Sequence, residues 1–131
     1  MNNSSRFEFN PRTGILFKYY YGPISVEAIR DSWTVAIKQQ LLPENIRGFV
    51  LDYREAHFDF HIKEHIAIVE FYRGHPEIFG NKRVAIICEN PEDIVYPILF
   101  QTHDNGYESM IFSTMEAAIA WVADFEMEWQ A

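Results

Sequence analysis

Two short stretches carry residue types that do chemistry. His61-Ile62-Lys63-Glu64-His65 has the form H-x-x-E-H. On a helix, side chains at i and i+4 share a face, so two imidazoles there could hold a zinc ion with Glu64 as general base. A zinc centre also needs a third protein ligand and an open position for water. Glu89, Asp59 and His103 have suitable donors, but nothing in the sequence brings them to the pair. Two half-exposed helix histidines are the ordinary reading of so short a match, so neither a metal nor any other cofactor is expected. The second stretch is Cys88, with His57 and His103 as candidate partners. A Cys-His nucleophile needs a lowered thiol pKa and an oxyanion site. A buried free cysteine acting as a small hydrophobe is commoner, and no catalytic residue is assigned.

Between these lies a run suited to binding. Asp52, Tyr53, Arg54, His57, Phe58, Asp59, Phe60 and His61 put carboxylates, imidazoles and aromatic rings within ten positions of one another. In open α/β sheets, ligands bind beyond the carboxyl ends of the parallel strands. Cys88 to Asn90 and Ser113 should end at the same edge. In the alternative, structural reading, Asp52 caps a turn or pairs with Arg54, while Phe58 and Phe60 fold back into the core. Tyr19-Tyr20-Tyr21 with Trp33 could stack bases, but basic neighbours are lacking, and tyrosines of a half-exposed strand are the simpler account.

The bulk properties narrow the partners. A chain of 131 residues reads as one domain over 6–131, with a flexible end at 1–5. Hydrophobic residues make up 48% and aromatics 16%, enough for a core. A net charge of −8 argues against nucleic acid and against an anionic membrane surface. One cysteine excludes an internal disulfide and fits a reducing cytoplasm. The start, MNNSSRFEF, lacks the apolar core of a signal peptide, and no apolar run approaches the length of a membrane span.

The elements that must position these residues follow from periodicity. Arg6–Asn10 alternates apolar and polar, and with the strand Ile15–Tyr21 across the turn NPRTG it reads as an antiparallel hairpin, ended by Gly22-Pro23. Ile15, Phe17, Tyr19 and Tyr21 should share one face of the second strand. Ser25 is the expected cap of a helix from Val26 to about Leu41, with Val26, Ile29, Trp33, Ile37 and Leu41 as its stripe. Gly48–Tyr53 is a buried strand, followed by a loop, Arg54–Phe60. A helix from near His61 to about Arg73 should bury Ile62, Ile66, Val69 and Tyr72 and stop at Gly74 and Pro76. Ile68 and Phe71 fall off that stripe, which hints at a partner or a second layer. Arg83–Cys88 is another buried strand. Asn90-Pro91-Glu92-Asp93 starts a helix, although Pro97 means either a kink or a start nearer Val95. Tyr107–Phe112 is the last strand. Ser113-Thr114-Met115-Glu116 reads as a capping box for a final helix that buries Ala118, Ile119, Val122 and Phe125. Together these make an α/β fold: a mixed, mostly parallel five-stranded sheet, an opening antiparallel hairpin and about four covering helices.

This order resembles that of the SpoIIAA-like fold, the family of STAS domains and their relatives. FVLDYREAHFDF at Phe49–Phe60 is similar to the family's strand ending in an aspartate before a loop into the second helix. IFSTMEAAIAWV at Ile111–Val122 resembles its closing strand, serine cap and Ala-rich helix. In the anti-sigma-factor antagonist branch, that loop ends in a phosphorylated serine that gates a protein partner. Those serine positions fall at about His61 and Ile62, and no Ser or Thr occurs from Gly48 to Gly80. The resemblance therefore implies a cytoplasmic binding or regulatory domain, not an enzyme, with protein contacts near 52–61 and no serine phospho-switch. A related apolar-ligand-binding branch implies the alternative of a small lipid-like ligand. The two-sided second helix and the set Phe125, Met127 and Trp129 suggest self-association.

Overall fold

The computed structural model describes residues 4–101 and 106–130, with side chains through Asp124. Five strands form one sheet in chain order: β1 (Ser5–Asn10), β2 (Ile15–Ile24), β3 (Gly48–Phe58), β4 (Arg83–Ile87) and β5 (Glu108–Phe112). β1 and β2 are antiparallel and every other pairing is parallel. The turn between β1 and β2 closes with Gly14 at φ +75°, its N–H reaching the Asn10 carbonyl at 2.8 Å, in a region that suits glycine. The helices are α1 (Val26–Lys38), α2 (His65–Arg73), α3 (Pro76–Phe79), α4 (Val95–Gln101) and α5 (Met115–Gln130). No helix among the described residues is long and apolar enough to cross a membrane.

Alternation along the strands splits the core in two. Leu16, Tyr20, Phe49, Leu51, Val84 and Ile86 face α1 to α4. Ile15, Phe17, Val50, Ala85 and Ile87 face α5, which buries Ala118 and Val122 against them. Right-handed crossovers between adjacent parallel strands put α1, α2 and α4 on one face, and α5 then covers the other. Trp33 centres the larger core, edge-on to Phe7, Phe49 and Phe79 at centroid distances of 5.4, 5.8 and 5.1 Å.

The expected elements are present, with altered ends. β2 does not stop at Gly22-Pro23 but runs to Ile24. β1 no longer pairs there, so the missing N–H of Pro23 faces an open edge and costs no ladder bond. α1 ends at Lys38, not near Leu41: Gln39 caps it, Gln40 turns left-handed at φ 56°, and Leu41 is exposed. The buried set of α2 is Ile68, Val69 and Tyr72, whereas Ile66 is exposed, because the helix begins at His65 and is rotated from the expected stripe. α3, which buries Phe79, was not foreseen, since Gly74 and Pro76 read only as a stop. Pro97 lies in the first turn of α4, so the helix starts at Val95 without needing a kink. α5 is capped by Thr114, not Ser113: its Oγ1 accepts the Ala117 N–H at 3.2 Å. Phe125, Met127, Trp129 and His103 lie outside the described side chains.

Candidate functional site

The sheet's carboxyl edge is asymmetric. Pairing between β3 and β4 ends at Asp52 with Ile87, but β3 continues to Phe58 along β2, whose register shifts between Tyr19 and Tyr21. The segment expected to be a loop, Arg54–Phe60, is therefore a strand over most of its length. An extended two-stranded arm leaves unpaired N–H groups on the β4 side. Asp93 answers one of them: its buried carboxylate accepts the Phe58 N–H at 3.1 Å.

The candidate residues separate by burial. Asp52 is buried, and its carboxylate accepts the Arg54 N–H at 3.0 Å, Nε at 3.0 Å and Nη2 at 2.7 Å. The hydrogen bonds to Asp52 raise the pKa of the Arg54 guanidinium. Tyr53 is buried and stacks on Tyr20 at 4.2 Å, and burial pushes its phenol up. Phe58 is buried between Tyr53 and Tyr96, both at 4.7 Å, and Phe60 is half-buried against Tyr96 at 5.0 Å. The Tyr96 hydroxyl donates to the Phe60 carbonyl at 2.6 Å and ties α4 to this segment. Arg54, His57, Asp59 and His61 remain exposed.

His61 and His65 do not form the expected helical pair. His61 is extended (φ −66°, ψ 139°) and caps a 3-10 turn at Ile62–Glu64. Its Nδ1 accepts the Lys63 N–H at 3.1 Å, and Glu64 accepts the His61 N–H at 3.1 Å. His65 Nδ1 lies 2.8 Å from the Ile62 carbonyl. The motif acts here as a capping box. Among the described residues, no three His, Cys, Asp or Glu side chains group to hold a metal ion. The Cys88 thiol is buried, and burial, with Asp93 adding to it, pushes its pKa up to about 11. That direction is opposite to the one a thiolate nucleophile needs.

One residue was missed by inspection of the sequence. Lys18 sits in β2 with its amine fully buried, bonded to Ser32 Oγ and over the faces of Trp33, Tyr20 and Phe7. The signal was a lone cation inside the apolar run ILFKYYY. At the sheet's carboxyl end, α4 and the turn before it expose Ile94, Val95 and Ile98, and Ile66 is exposed on neighbouring α2.

No family model matches the sequence, and no curated protein matches it. Solved structures are similar along almost its whole length, two of them as follows. An uncharacterized protein of the DUF3478 family from Shewanella loihica PV-4, described as having a SpoIIAA-like fold, is 18% identical with a TM-score of 0.61, over 90% of this chain and 91% of that one. The anti-sigma factor antagonist SpoIIAA in its unphosphorylated form is 20% identical with a TM-score of 0.52, over 90% and 96%. With TM-scores of 0.61 and 0.52 over 90% of its length, the chain has a SpoIIAA-like fold.

Proposed function

We propose that this domain is a non-enzymatic, cytoplasmic binding module that contacts a protein partner at the carboxyl edge of its sheet. The observation that carries the reading is the outward set Ile94, Val95 and Ile98, tied by the Tyr96–Phe60 contact to the segment that exposes the polar side chains Arg54, His57, Asp59 and His61. Apolar side chains rimmed by charge are the usual make-up of a protein interface. A serine phospho-switch of the SpoIIAA type has no counterpart here, because no Ser or Thr occurs from Gly48 to Gly80. The enzymatic readings lose support from the raised Cys88 thiol and from the commitment of His61 to its cap.

The test is affinity capture from an extract of the source organism, using the wild-type protein and the double variant I94D/I98D. Both side chains point outward, so circular dichroism should be unchanged. A protein retained by the wild type and lost from the variant is expected. Equal retention by both, or none by either, overturns the reading. Light scattering on the purified protein separates self-association from a foreign partner. A lipid seen by native mass spectrometry would favour the alternative of a small apolar ligand.

A further inference from the structure

The two edges of the sheet are guarded unequally. At one edge, the Ser109 carbonyl of β5 accepts a hydrogen bond from Gln101 Nε2 on α4 at 3.2 Å. The other edge is β1, which pairs only with β2. The Tyr21 N–H donates to the Ser4 carbonyl at 2.7 Å, and along an antiparallel strand alternate residues bond to the same neighbour. Ser4, Arg6, Glu8 and Asn10 therefore turn their N–H and C=O groups toward β2, while Ser5, Phe7 and Phe9 turn theirs outward. Among the described residues no strand lies beyond them. The flank between β1 and α1 is an open cavity of about 310 Å3 lined by Ser5, Phe7, Asp31, Ser32 and Val35, so α1 does not seal that edge. β1 keeps an unbroken register, and its sequence, SRFEFN, holds no proline and no lysine, so the usual protections of an exposed edge are missing. Its charges share one face. The Arg6 guanidinium lies 4.2 Å from the Tyr19 ring centroid and donates to the Tyr21 hydroxyl at 2.8 Å, and Glu8 follows two residues on. The two side chains are 54% and 61% exposed. Phe7 and Phe9 take the other face, half-buried against the larger core.

We propose that β1 is a homodimer interface, in which two copies pair their β1 strands antiparallel about a two-fold axis at Phe7 and join their sheets into one. The register follows from charge. Only Ser5, Phe7 and Phe9 can bond outward, so the axis falls at a residue between Ser5 and Phe9. An axis at Arg6 sets Arg6 against its own copy, and one at Glu8 does the same with Glu8. An axis at Ser5 or Phe9 brings neither charge opposite an unlike one. With the axis at Phe7, Arg6 of each copy faces Glu8 of the other. These are non-hydrogen-bonded pairs, the closer kind, with Cα atoms about 4.5 Å apart. Ser5 then exchanges hydrogen bonds with Phe9 of the second copy, and Phe7 with its own counterpart, so the outward N–H and C=O groups of β1 are all satisfied. The segment Arg6-Phe7-Glu8 is thus complementary to itself, as an isologous two-fold contact requires, and the closed symmetry stops growth at two. On the other face Phe7 meets its counterpart, and Val35 of α1, exposed at 48%, lines the hollow beside it. A foreign strand is disfavoured, because β1 already supplies the charge pattern that such a strand would need.

The test is sedimentation of the full chain at about 0.15 M salt, where screening over about 8 Å damps the general repulsion between two acidic copies. A single pair of edge strands is a small interface of the weak class, so the protein is followed up to about 1 mM. Its mass should rise from monomer toward dimer with concentration. R6E and E8R should each weaken the dimer by about tenfold, because either change turns two attractive cross-strand pairs into repulsive ones. Glu8 is well exposed, so E8R should keep the circular dichroism of the wild type. R6E also gives up the bond to Tyr21, so an equimolar mixture of R6E and E8R carries the decision: unlike charges face each other again, and the mixture should dimerise as the wild type does. The double variant R6E/E8R, which keeps the net charge of −8, should do the same. Hydrogen exchange at the Ser5, Phe7 and Phe9 amides should slow as concentration rises, with no change at Arg6 and Glu8. A monomer at every concentration, a dimer equally strong in R6E and E8R, or a mixture no better than its parts overturns the proposal. The variant I94D/I98D should dimerise like the wild type, so this test and that of the α4 surface fail independently.

Discussion

Replacing Lys18 with methionine should stabilise the protein near neutral pH. In the unfolded chain the amine titrates near its ordinary value of 10.5, whereas burial lowers it well below that in the fold. Between those two values the unfolded state holds one more proton, so wild-type stability rises with pH at up to about 1.4 kcal/mol per pH unit. The penalty is largest at low pH, shrinks as pH rises through the folded-state value, and vanishes above the ordinary value of 10.5. Methionine has nearly the same length and no charge to desolvate. It forfeits the bond to Ser32, worth about 1 kcal/mol, although Ser32 Oγ keeps its bond to the Ile29 carbonyl. The ring faces of Trp33, Tyr20 and Phe7 oppose the effect, since they favour the ammonium by about 0.5–2 kcal/mol. A net gain of about 1–3 kcal/mol follows for K18M at neutral pH, within the range seen when buried charges are replaced by apolar groups. Urea unfolding of both proteins, followed by circular dichroism from neutral to alkaline pH, measures it. The other titrating groups are common to both and cancel in the difference. Parallel curves, with K18M less stable throughout, would refute the reasoning and mean that the aromatic faces hold Lys18 as a cation.

Gly48→Ala should lose about 1–3 kcal/mol, because a Cβ there would lie 2.3 Å from Val122 Cγ1 and push α5 off the sheet; adding V122A should recover part of the loss in the same urea titration. Asp93→Ala should cost about 1–3 kcal/mol and speed hydrogen exchange of the Phe58 amide, whose buried acceptor it removes. Cys88, with its thiol pushed up to about 11, should resist iodoacetamide at neutral pH in the native protein and react readily in urea; fast native alkylation would contradict the burial.

Much of this protein is legible in its residues. Alternation in Arg6–Asn10 and the continuous apolar runs at Gly48–Tyr53 and Arg83–Cys88 announce the hairpin and the buried parallel strands, because burial on one or two faces is written directly into the pattern. Ser25 caps α1 as its type and position imply, its Oγ accepting the Ala28 N–H at 3.0 Å. Helix starts near turns were less legible. His61 reads as the first residue of a helix, yet its imidazole serves the backbone as a cap, and the true helix begins four residues later. That choice depends on hydrogen-bond competition, which the apolar spacing of the sequence does not encode.

By itself, then, the sequence determined the class, the order and the two-sided cover of the sheet, since these follow from hydrophobic period and turn chemistry. Only the tertiary structure decided what the chemically suggestive residues do. It carried β3 on to Phe58 because β2 runs alongside it, and so turned an expected loop into an arm with Tyr53 and Phe58 inside. It paired Asp52 with Arg54 and gave Asp93 to the Phe58 N–H. It also set Lys18 among three rings contributed by β1, β2 and α1, an environment assembled from separate elements that no local pattern could reveal.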